Sequence, residues 1–192
     1  MSNPPLTPRH PLADVQRGRL GAPDPATPGV TLTARARGTV LHLLAAPVSS
    51  CAPDDLTALL GLPDLSLRAA GPNQWLLVGD RALPTDELAA LASRLADKVA
   101  VIDQSHGRVR VTVSGPSVCD LLAKGLALDL SAAAFPVGQS AQCLYGHISL
   151  HLTRAAADSF DLLVFRGFAE SLWDLLCEMG LEFGLQATLQ TG

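Results

Sequence analysis

The chain has 192 residues, of which 48% are hydrophobic and 17% are charged, and this is enough for a buried core in one large domain or two small ones. The 14 Lys and Arg residues are scattered and the formal net charge is −4, so the composition argues against a nucleic-acid partner. No apolar run reaches the roughly 18 residues that span a bilayer, and the N-terminal residues lack the apolar region of a signal peptide, so we expect no membrane partner and a cytoplasmic location.

The N-terminal segment, residues 1–37, holds seven of the 14 prolines. Each proline fixes the backbone angle φ and removes a hydrogen-bond donor, which opposes both helices and central strands. The segment is therefore predicted to be a Pro-rich N-terminal arm that is either mobile or extended along a partner.

Regular patterning begins at Gly38 and predicts a first unit over residues 38–98. Its predicted elements are a strand at 39–44, a helix at 53–60, a strand at 65–70, a turn at 71–73, a strand at 74–79 and a helix from 84 to about 95. The last helix carries Leu88, Leu91 and Leu95 along one side, as expected for a helix that packs on a sheet.

A second unit is predicted over residues 99–192. Its predicted elements are a linking strand at 99–102, a strand at 107–114, a helix at 116–125, a strand or strand pair within 141–152, a strand at 159–165 and a helix from about 168 to 179. In the strand at 107–114, Val109, Val111 and Val113 alternate with polar residues, which predicts one buried face and one face towards solvent.

Each unit therefore has the element order β-α-β-β-α. Helices that connect hairpin-paired strands favour an α+β fold with mainly antiparallel sheets. We predict two tandem β-α-β-β-α units, related by a pseudo-twofold axis, that together form one compact domain.

The densest cluster of polar side chains is Asp103, Ser105, His106 and Arg108, at the start of the strand at 107–114. A catalytic triad of Asp103, Ser105 and His106 is disfavoured, because adjacent residues of an extended chain point to opposite sides. For Asp103 and Arg108 two alternatives remain open: they bond to loop amides, or they pair with each other.

Motifs for catalysis by this chain alone are missing. Residues 115–120 lack the second and third glycines of a dinucleotide-binding turn, and the sequence contains no GxSxG, HExxH or P-loop pattern. We therefore predict no catalytic residue and no cofactor held by this chain itself.

The side chains that bind metals are also poorly arranged. The four cysteines are widely spaced and predict neither a zinc site nor a redox pair: Cys51, Cys119, Cys143 and Cys177. His147 and His151 lie four residues apart in an apparent strand, but with only Cys143 nearby they make a poor site. No metal is predicted, and Trp75 and Trp173 occupy apolar positions typical of core residues.

Six short motifs follow one another along the chain: Gly71-Pro-Asn-Gln-Trp-Leu-Leu-Val78, Asp103-Gln-Ser-His-Gly-Arg108, Ser114-Gly-Pro116, Leu121-Leu-Ala-Lys-Gly125, Leu128-Asp-Leu130 and Phe135-Pro-Val-Gly138. In this order and spacing they resemble the gamma subunit family of heterotetrameric sarcosine oxidase, from about residue 38 to residue 180. The broader superfamily is that of folate-binding aminomethyltransferases, such as the T-protein of the glycine cleavage system. Membership implies tandem β-α-β-β-α units.

The resemblance implies a four-subunit cytoplasmic flavoenzyme that converts sarcosine to glycine, with formaldehyde or methylene-tetrahydrofolate and hydrogen peroxide as further products. It implies FAD, FMN, NAD and tetrahydrofolate in that complex, held mainly by other subunits, and the alpha, beta and delta subunits as partners. The chain is then expected to be a non-catalytic structural subunit, and Trp75, His106 and Arg108 are its candidate interface residues.

Two other functions remain open. A free-standing, tetrahydrofolate-binding protein like the aminomethyltransferases would need a deep pocket between the two units and a carboxylate aimed into it, for which Asp103 and Arg108 are the candidate residues. The second function is that of a flavin-free assembly factor, which the sequence does not distinguish from a structural subunit.

Overall fold

The computed structural model describes residues 9–21, 27–45, 53, 56, 57 and 64–190. Its strands are β1 Gly18–Leu20, β2 Val30–Ala34, β3 Thr39–Ala45, β4 Leu65–Gly71, β5 Gln74–Gly79, β6 Val99–Asp103, β7 Arg108–Ser114, β8 Ser140–Tyr145, β9 Ile148–Ala156, β10 Ser159–Phe165 and β11 Leu185–Leu189. Its helices are α1 Thr85–Leu95, α2 Val118–Ala123 and α3 Ala169–Gly180, with 3-10 turns at Arg166–Phe168 and Leu181–Phe183. None of the helices in these ranges is long and apolar enough to cross a membrane.

The strands form two sheets. The smaller sheet has the order β4-β5-β3-β6, and all of its neighbouring strands are antiparallel. The larger sheet has the order β1-β11-β2-β7-β10-β9-β8, in which β11 and β2 run parallel and the other neighbours run antiparallel. The predicted α+β class with mainly antiparallel sheets is confirmed.

Most predicted elements are present within two or three residues of their expected bounds. β5 and β10 have the predicted bounds, and the strand pair predicted within 141–152 is the β8–β9 hairpin. In the helix predicted at 53–60, Pro53, Leu56 and Thr57 are helical, and the rest lies outside the described residues, as does Cys51.

The parity of residues along the strands sorts their side chains into layers. In β10, Leu162 and Val164 belong to the core that includes α2 and α3, whereas Leu163 packs against Leu76 and Val78 of the smaller sheet. The opposite face of the smaller sheet packs against α1. The layers are therefore α2 with α3, the larger sheet, the smaller sheet, and α1.

The polar face of β7 does not point to solvent as the sequence predicts. Arg108, Arg110 and Thr112 alternate with buried valines and are only half-exposed. This face is covered by the smaller sheet, so the polar side chains lie between the two sheets. The prediction of a solvent-facing side is wrong because alternation distinguishes two faces but does not reveal what covers them.

An ion pair between Arg68 of β4 and Asp161 of β10 joins the two sheets. The Arg68 Nη2 donates to Asp161 Oδ2 at 2.8 Å, and the two side chains are 9% and 10% exposed. Thr112 donates from Oγ1 to the other carboxylate oxygen at 2.7 Å. Burial lowers the pKa of Arg68, and the charge of Asp161 opposes that effect. Desolvation offsets much of the attraction in such a pair, but removal of one partner leaves a buried charge.

Two strands come from the segment that was expected to be an arm. β2 lies between β7 and β11 in the larger sheet, and its residues Val30, Leu32 and Ala34 are fully buried. The expectation that residues 1–37 hold no central strand is therefore wrong. The prolines of this segment end at Pro28, and the following residues alternate apolar and polar side chains with the period of a strand.

Two further pairings cross the predicted unit boundaries. β6, predicted as a linking strand at the start of the second unit, pairs with β3 in the smaller sheet. β11, which has no counterpart among the predicted elements, pairs with β2. The strands of the larger sheet thus come from both ends of the chain. The division into separate units at residues 1–37, 38–98 and 99–192 stays a prediction.

We expect Asp161→Ala to lower the free energy of unfolding by about 3–5 kcal/mol, because Arg68 would keep a buried charge without its partner. The double variant Arg68→Met with Asp161→Leu should recover most of this loss, since both charges are then removed together. Urea unfolding followed by circular dichroism measures both free energies. A single variant as stable as the double variant would contradict this account of the ion pair.

Candidate functional site

The connecting loop, Asp103–Arg108, carries the chain from β6 at the edge of the smaller sheet to β7 inside the larger sheet. The Gln104 amide donates to the Val40 carbonyl of β3 at 2.8 Å, and the Arg166 amide donates to the Gly107 carbonyl at 2.9 Å. The polar cluster singled out in the sequence thus lies at the junction of the two sheets.

The Asp103 and Ser105 side chains stabilise the loop backbone. Asp103 Oδ1 accepts the Ser105 amide at 2.9 Å, and Ser105 Oγ accepts the Val40 amide at 3.0 Å. In the described part of the chain no hydrogen bond joins Ser105 to His106, whose side chain is exposed. A serine nucleophile needs a base within hydrogen-bond reach, so this geometry does not assemble a triad.

Arg108 bonds within the loop rather than to Asp103. Its Nε donates to Gln104 Oε1 at 2.6 Å, and its guanidinium lies 4.3 Å from the centre of the Phe165 ring. Burial lowers the pKa of Arg108. Of the two alternatives, bonding to a loop amide is confirmed for Asp103, and pairing of Asp103 with Arg108 is wrong.

Gln104 connects the loop to the smaller sheet. Its Nε2 lies 3.4 Å from His42 Nδ1, and His42 Nε2 lies 3.1 Å from Gln74 Oε1. The sequence analysis did not single out Gln104 or Gln74, because an isolated amide gives no indication of which partner the tertiary structure brings to it. This chain of side chains ties the loop to β3 and β5.

The space between the sheets beside Arg108 is too small for a pterin. The cavity there has a volume of about 30 Å³, and five of the residues that line it are arginines. Ligand pockets usually have volumes of about 300 to 1,000 Å³, whereas this cavity has room for about one or two water molecules.

Two larger openings near the loop do not supply a buried, unpaired carboxylate between the sheets. The pocket beside Asp103 and His106, about 270 Å³, lies against Leu83 and Leu88, on the α1 side of the smaller sheet. A cleft of about 390 Å³ between the sheets is lined by Asp64, which is exposed, and by Asp80 and Asp161. Asp80 binds Arg35 and Arg110, and Asp161 binds Arg68. Neither of these two openings places a buried, unpaired carboxylate between the sheets, as the folate-binding alternative requires.

The residues considered for a metal do not converge. His147 lies in the turn between β8 and β9, and His151 is buried in β9, where its Nε2 donates to the Ala69 carbonyl at 2.8 Å. Cys143 lies on β8, opposite Leu150. The described ranges contain no group of three or more side chains that could hold a metal ion.

Both tryptophans are core residues, as predicted. Trp75 is 7% exposed and packs with Leu91 and Leu95 of α1. Trp173 is fully buried, and its Nε1 donates to the Gln16 carbonyl at 3.0 Å. Of the candidate interface residues, Trp75 is therefore enclosed by its own chain, whereas His106 is exposed and Arg108 is half-buried.

The sequence analysis missed the residues that surround the loop from the N-terminal side. His10 Nε2 lies 3.0 Å from the Arg35 carbonyl, and Arg37 donates from Nη2 to the Arg9 carbonyl at 2.9 Å. These residues were not expected near the loop because the first 37 residues were interpreted as an arm. The sequence feature that indicates them is the pair Arg35 and Arg37, two residues apart and just before the predicted strand at 39–44.

Comparison with known proteins gives a consistent result. Residues 44–182 match the family model described as sarcosine oxidase, gamma subunit family. The structure is similar to a chain of heterotetrameric sarcosine oxidase from Corynebacterium sp. U-96, solved in complex with pyrrole 2-carboxylate. The TM-score is 0.71 and the sequence identity 25%, over 80% of this chain and 85% of that chain.

Aminomethyltransferases are also similar. The sequence is 28% identical over 131 residues to an aminomethyltransferase of Saccharopolyspora erythraea, which covers 65% of this chain and 35% of the relative. The chain thus spans about a third of the length of that curated relative. The aminomethyltransferase T of the glycine cleavage system from Bartonella henselae has the same fold, with a TM-score of 0.58 and 16% identity over 84% of this chain and 48% of that chain.

Stability should fall at acidic pH in part because of His151. Burial lowers the pKa of His151, the bond to the Ala69 carbonyl opposes this, and the charges of Arg68 and Arg108 lower it further. The unfolded chain, with a histidine pKa of about 6.5, therefore takes up the proton first as the pH falls. The stabilising contribution of neutral His151 is therefore complete above about pH 6.5 and is lost as the pH falls below it. The free energy of unfolding then decreases by at most about 1.4 kcal/mol per pH unit.

Urea unfolding at a series of pH values from about 7.5 to 5 measures this decline. His151→Gln should flatten it, and His147→Gln, which changes an exposed histidine, should not. The same pH dependence in wild type and His151→Gln would show that another group, such as the partly buried His10, is responsible.

Proposed function

The chain belongs to the sarcosine oxidase gamma subunit family, and from this we propose that it is the gamma subunit of a heterotetrameric sarcosine oxidase. The observation that carries the proposal is the match of residues 44–182 to that family. The structural similarity over 85% of a chain from a solved heterotetrameric sarcosine oxidase supports it.

In this role the chain is a non-catalytic structural component. The host complex oxidatively demethylates sarcosine to glycine, with formaldehyde or methylene-tetrahydrofolate and hydrogen peroxide as products. The FAD, FMN, NAD and tetrahydrofolate sites belong to the alpha, beta and delta subunits, and the complex assembles in the cytoplasm. The use of the loop polar groups in bonds to their own chain supports this division of labour.

A surface next to the connecting loop is the proposed contact with the other subunits. Phe165 is 46% exposed and ends β10, the strand that pairs with β7, and Phe168 is 54% exposed in the 3-10 turn that follows. Phe165 stacks on Arg108, and His106 lies exposed in the same loop. Aromatic and arginine side chains are enriched at the centres of protein interfaces, which supports this surface over the rest of the chain.

The first test is co-purification of the tagged chain from its native host. We expect flavin-containing partners and sarcosine-dependent peroxide formation in the eluate, and a colourless chain after the subunits are separated. A chain that elutes alone and binds tetrahydrofolate with micromolar affinity would overturn the subunit role in favour of the folate-binding alternative.

The second test determines which surface of the chain contacts the partner subunits. Phe168→Ser should weaken assembly with the partner subunits by at least about tenfold, because an aromatic anchor of an interface usually contributes 2 kcal/mol or more. Leu144→Ser is the matched control, since Leu144 is 56% exposed on β8, the outer strand of the larger sheet. Titration of the separated partner subunits measures both affinities. Weaker assembly with Leu144→Ser and unchanged assembly with Phe168→Ser would move the interface to β8.

A further inference from the structure

A small cavity next to the connecting loop is surrounded by positive charge. It lies between the smaller sheet and β7, has a volume of about 30 Å³, and is lined by five arginines: Arg35, Arg37, Arg108, Arg110 and Arg166. His10 and His106 also line it, and none of the described residues that line it is Asp or Glu. We call it the arginine cavity.

Three of these arginines bind neutral oxygens rather than carboxylates. Arg37 and Arg166 each donate from Nη2 to the Arg9 carbonyl, at 2.9 and 3.5 Å, and Arg108 donates to the Gln104 side chain at 2.6 Å. In the described ranges, none of the three takes part in an ion pair. These three like charges lie around one small cavity, so they repel one another.

The other two arginines are only partly compensated. Arg35 and Arg110 share the single carboxylate of Asp80, which is itself 68% exposed. Two guanidiniums on one carboxylate leave a net positive charge on this side of the cavity as well. The arginine cavity therefore has positive groups from the segment before β3, from the connecting loop with β7, and from the 3-10 turn after β10.

Two guanidinium N–H groups in the wall of the cavity lack an acceptor. Arg35 Nε and Arg108 Nη1 are buried and make no hydrogen bond to a protein atom. A buried donor without a partner is unfavourable by about 1–3 kcal/mol, and by more when it carries charge. The two donors come from separate segments, before β3 and at the start of β7, and their side chains border the same cavity.

The electrostatics of the histidine at this site agree with that description. Burial lowers the pKa of His10, the bond to the Arg35 carbonyl opposes this, and the charges of Arg37 and Arg166 lower it further. His10 is then neutral near pH 7 and does not add to the positive charge. Its one N–H is donated from Nε2 to the Arg35 carbonyl and its Nδ1 accepts the Leu12 amide at 3.0 Å, so neutral His10 neither binds an anion nor compensates the arginines.

We propose that the arginine cavity binds a monovalent anion of the size of chloride, which supplies the missing acceptor and charge where the N-terminal segment, the connecting loop and β7 meet. The volume limits the size, because a cavity of about 30 Å³ has room for about one or two water molecules and not for a nucleotide phosphate or a pterin. The anion holds three segments together and contacts no substrate. The site does not depend on subunit assembly.

Direct binding is measured by the line width of the ³⁵Cl resonance of sodium chloride with the full chain. Wild type should broaden the line, and Arg108→Gln should bind chloride about tenfold or more weakly, because it removes a charged donor from the cavity wall. Because Arg166 is largely exposed, Arg166→Gln can be tested even if Arg108→Gln fails to fold. This variant should also weaken chloride binding.

Lys98→Gln is the matched control, since it removes the same charge from an exposed position that does not line the cavity. It should bind chloride as wild type does. Replacement of chloride by gluconate at equal ionic strength should lower the melting temperature of wild type and Lys98→Gln but not of Arg108→Gln or Arg166→Gln. No broadening by wild type, or equal broadening by all four proteins, would show that the cavity holds only water and would overturn the proposal.

Discussion

The structure depends on how two sheets with polar inner faces pack together. Sheet packing is normally apolar, with interdigitated side chains between the two faces. Here the apolar contact between the sheets is the small cluster Val40, Leu76, Val78 and Leu163, and much of the remaining layer consists of arginines and aspartates. Arg68 therefore has to meet Asp161, since a buried guanidinium alone would be strongly unfavourable.

This layer also limits what the chain can bind. Asp80 and Asp161 already hold guanidiniums, and the space beside the connecting loop is a small cavity lined in part by arginines. A relative that binds a large ligand between its two sheets would need smaller side chains or unpaired acids at these positions. The gamma subunit family thus retains the layered fold shared with aminomethyltransferases, and the inner faces of this member serve to join its sheets.

Local patterns account for the elements that the sequence predicted well. β5 and β10 are short, mostly apolar runs and α3 has a period-3.6 apolar repeat, and their bounds agree with the structure to within a residue or two. The strands that were missed, β1, β2 and β11, are three or five residues long and come from the two ends of the chain. Proline content misled the interpretation of the first 37 residues, because a few residues free of proline are enough to complete a sheet whose other strands lie far along the sequence.

The sequence by itself determined the α+β class and the resemblance to a known family, and it singled out the segment Asp103–Arg108. These depend on residue order and on periodicity, which are local properties. Only the tertiary structure decided that Arg108 and Arg110 face another sheet rather than solvent, that Arg108 bonds to Gln104 rather than Asp103, and that Arg35 and Arg37 lie beside them. The partner of a charged side chain is set by the packing of distant segments, and spacing along one strand carries no information about it.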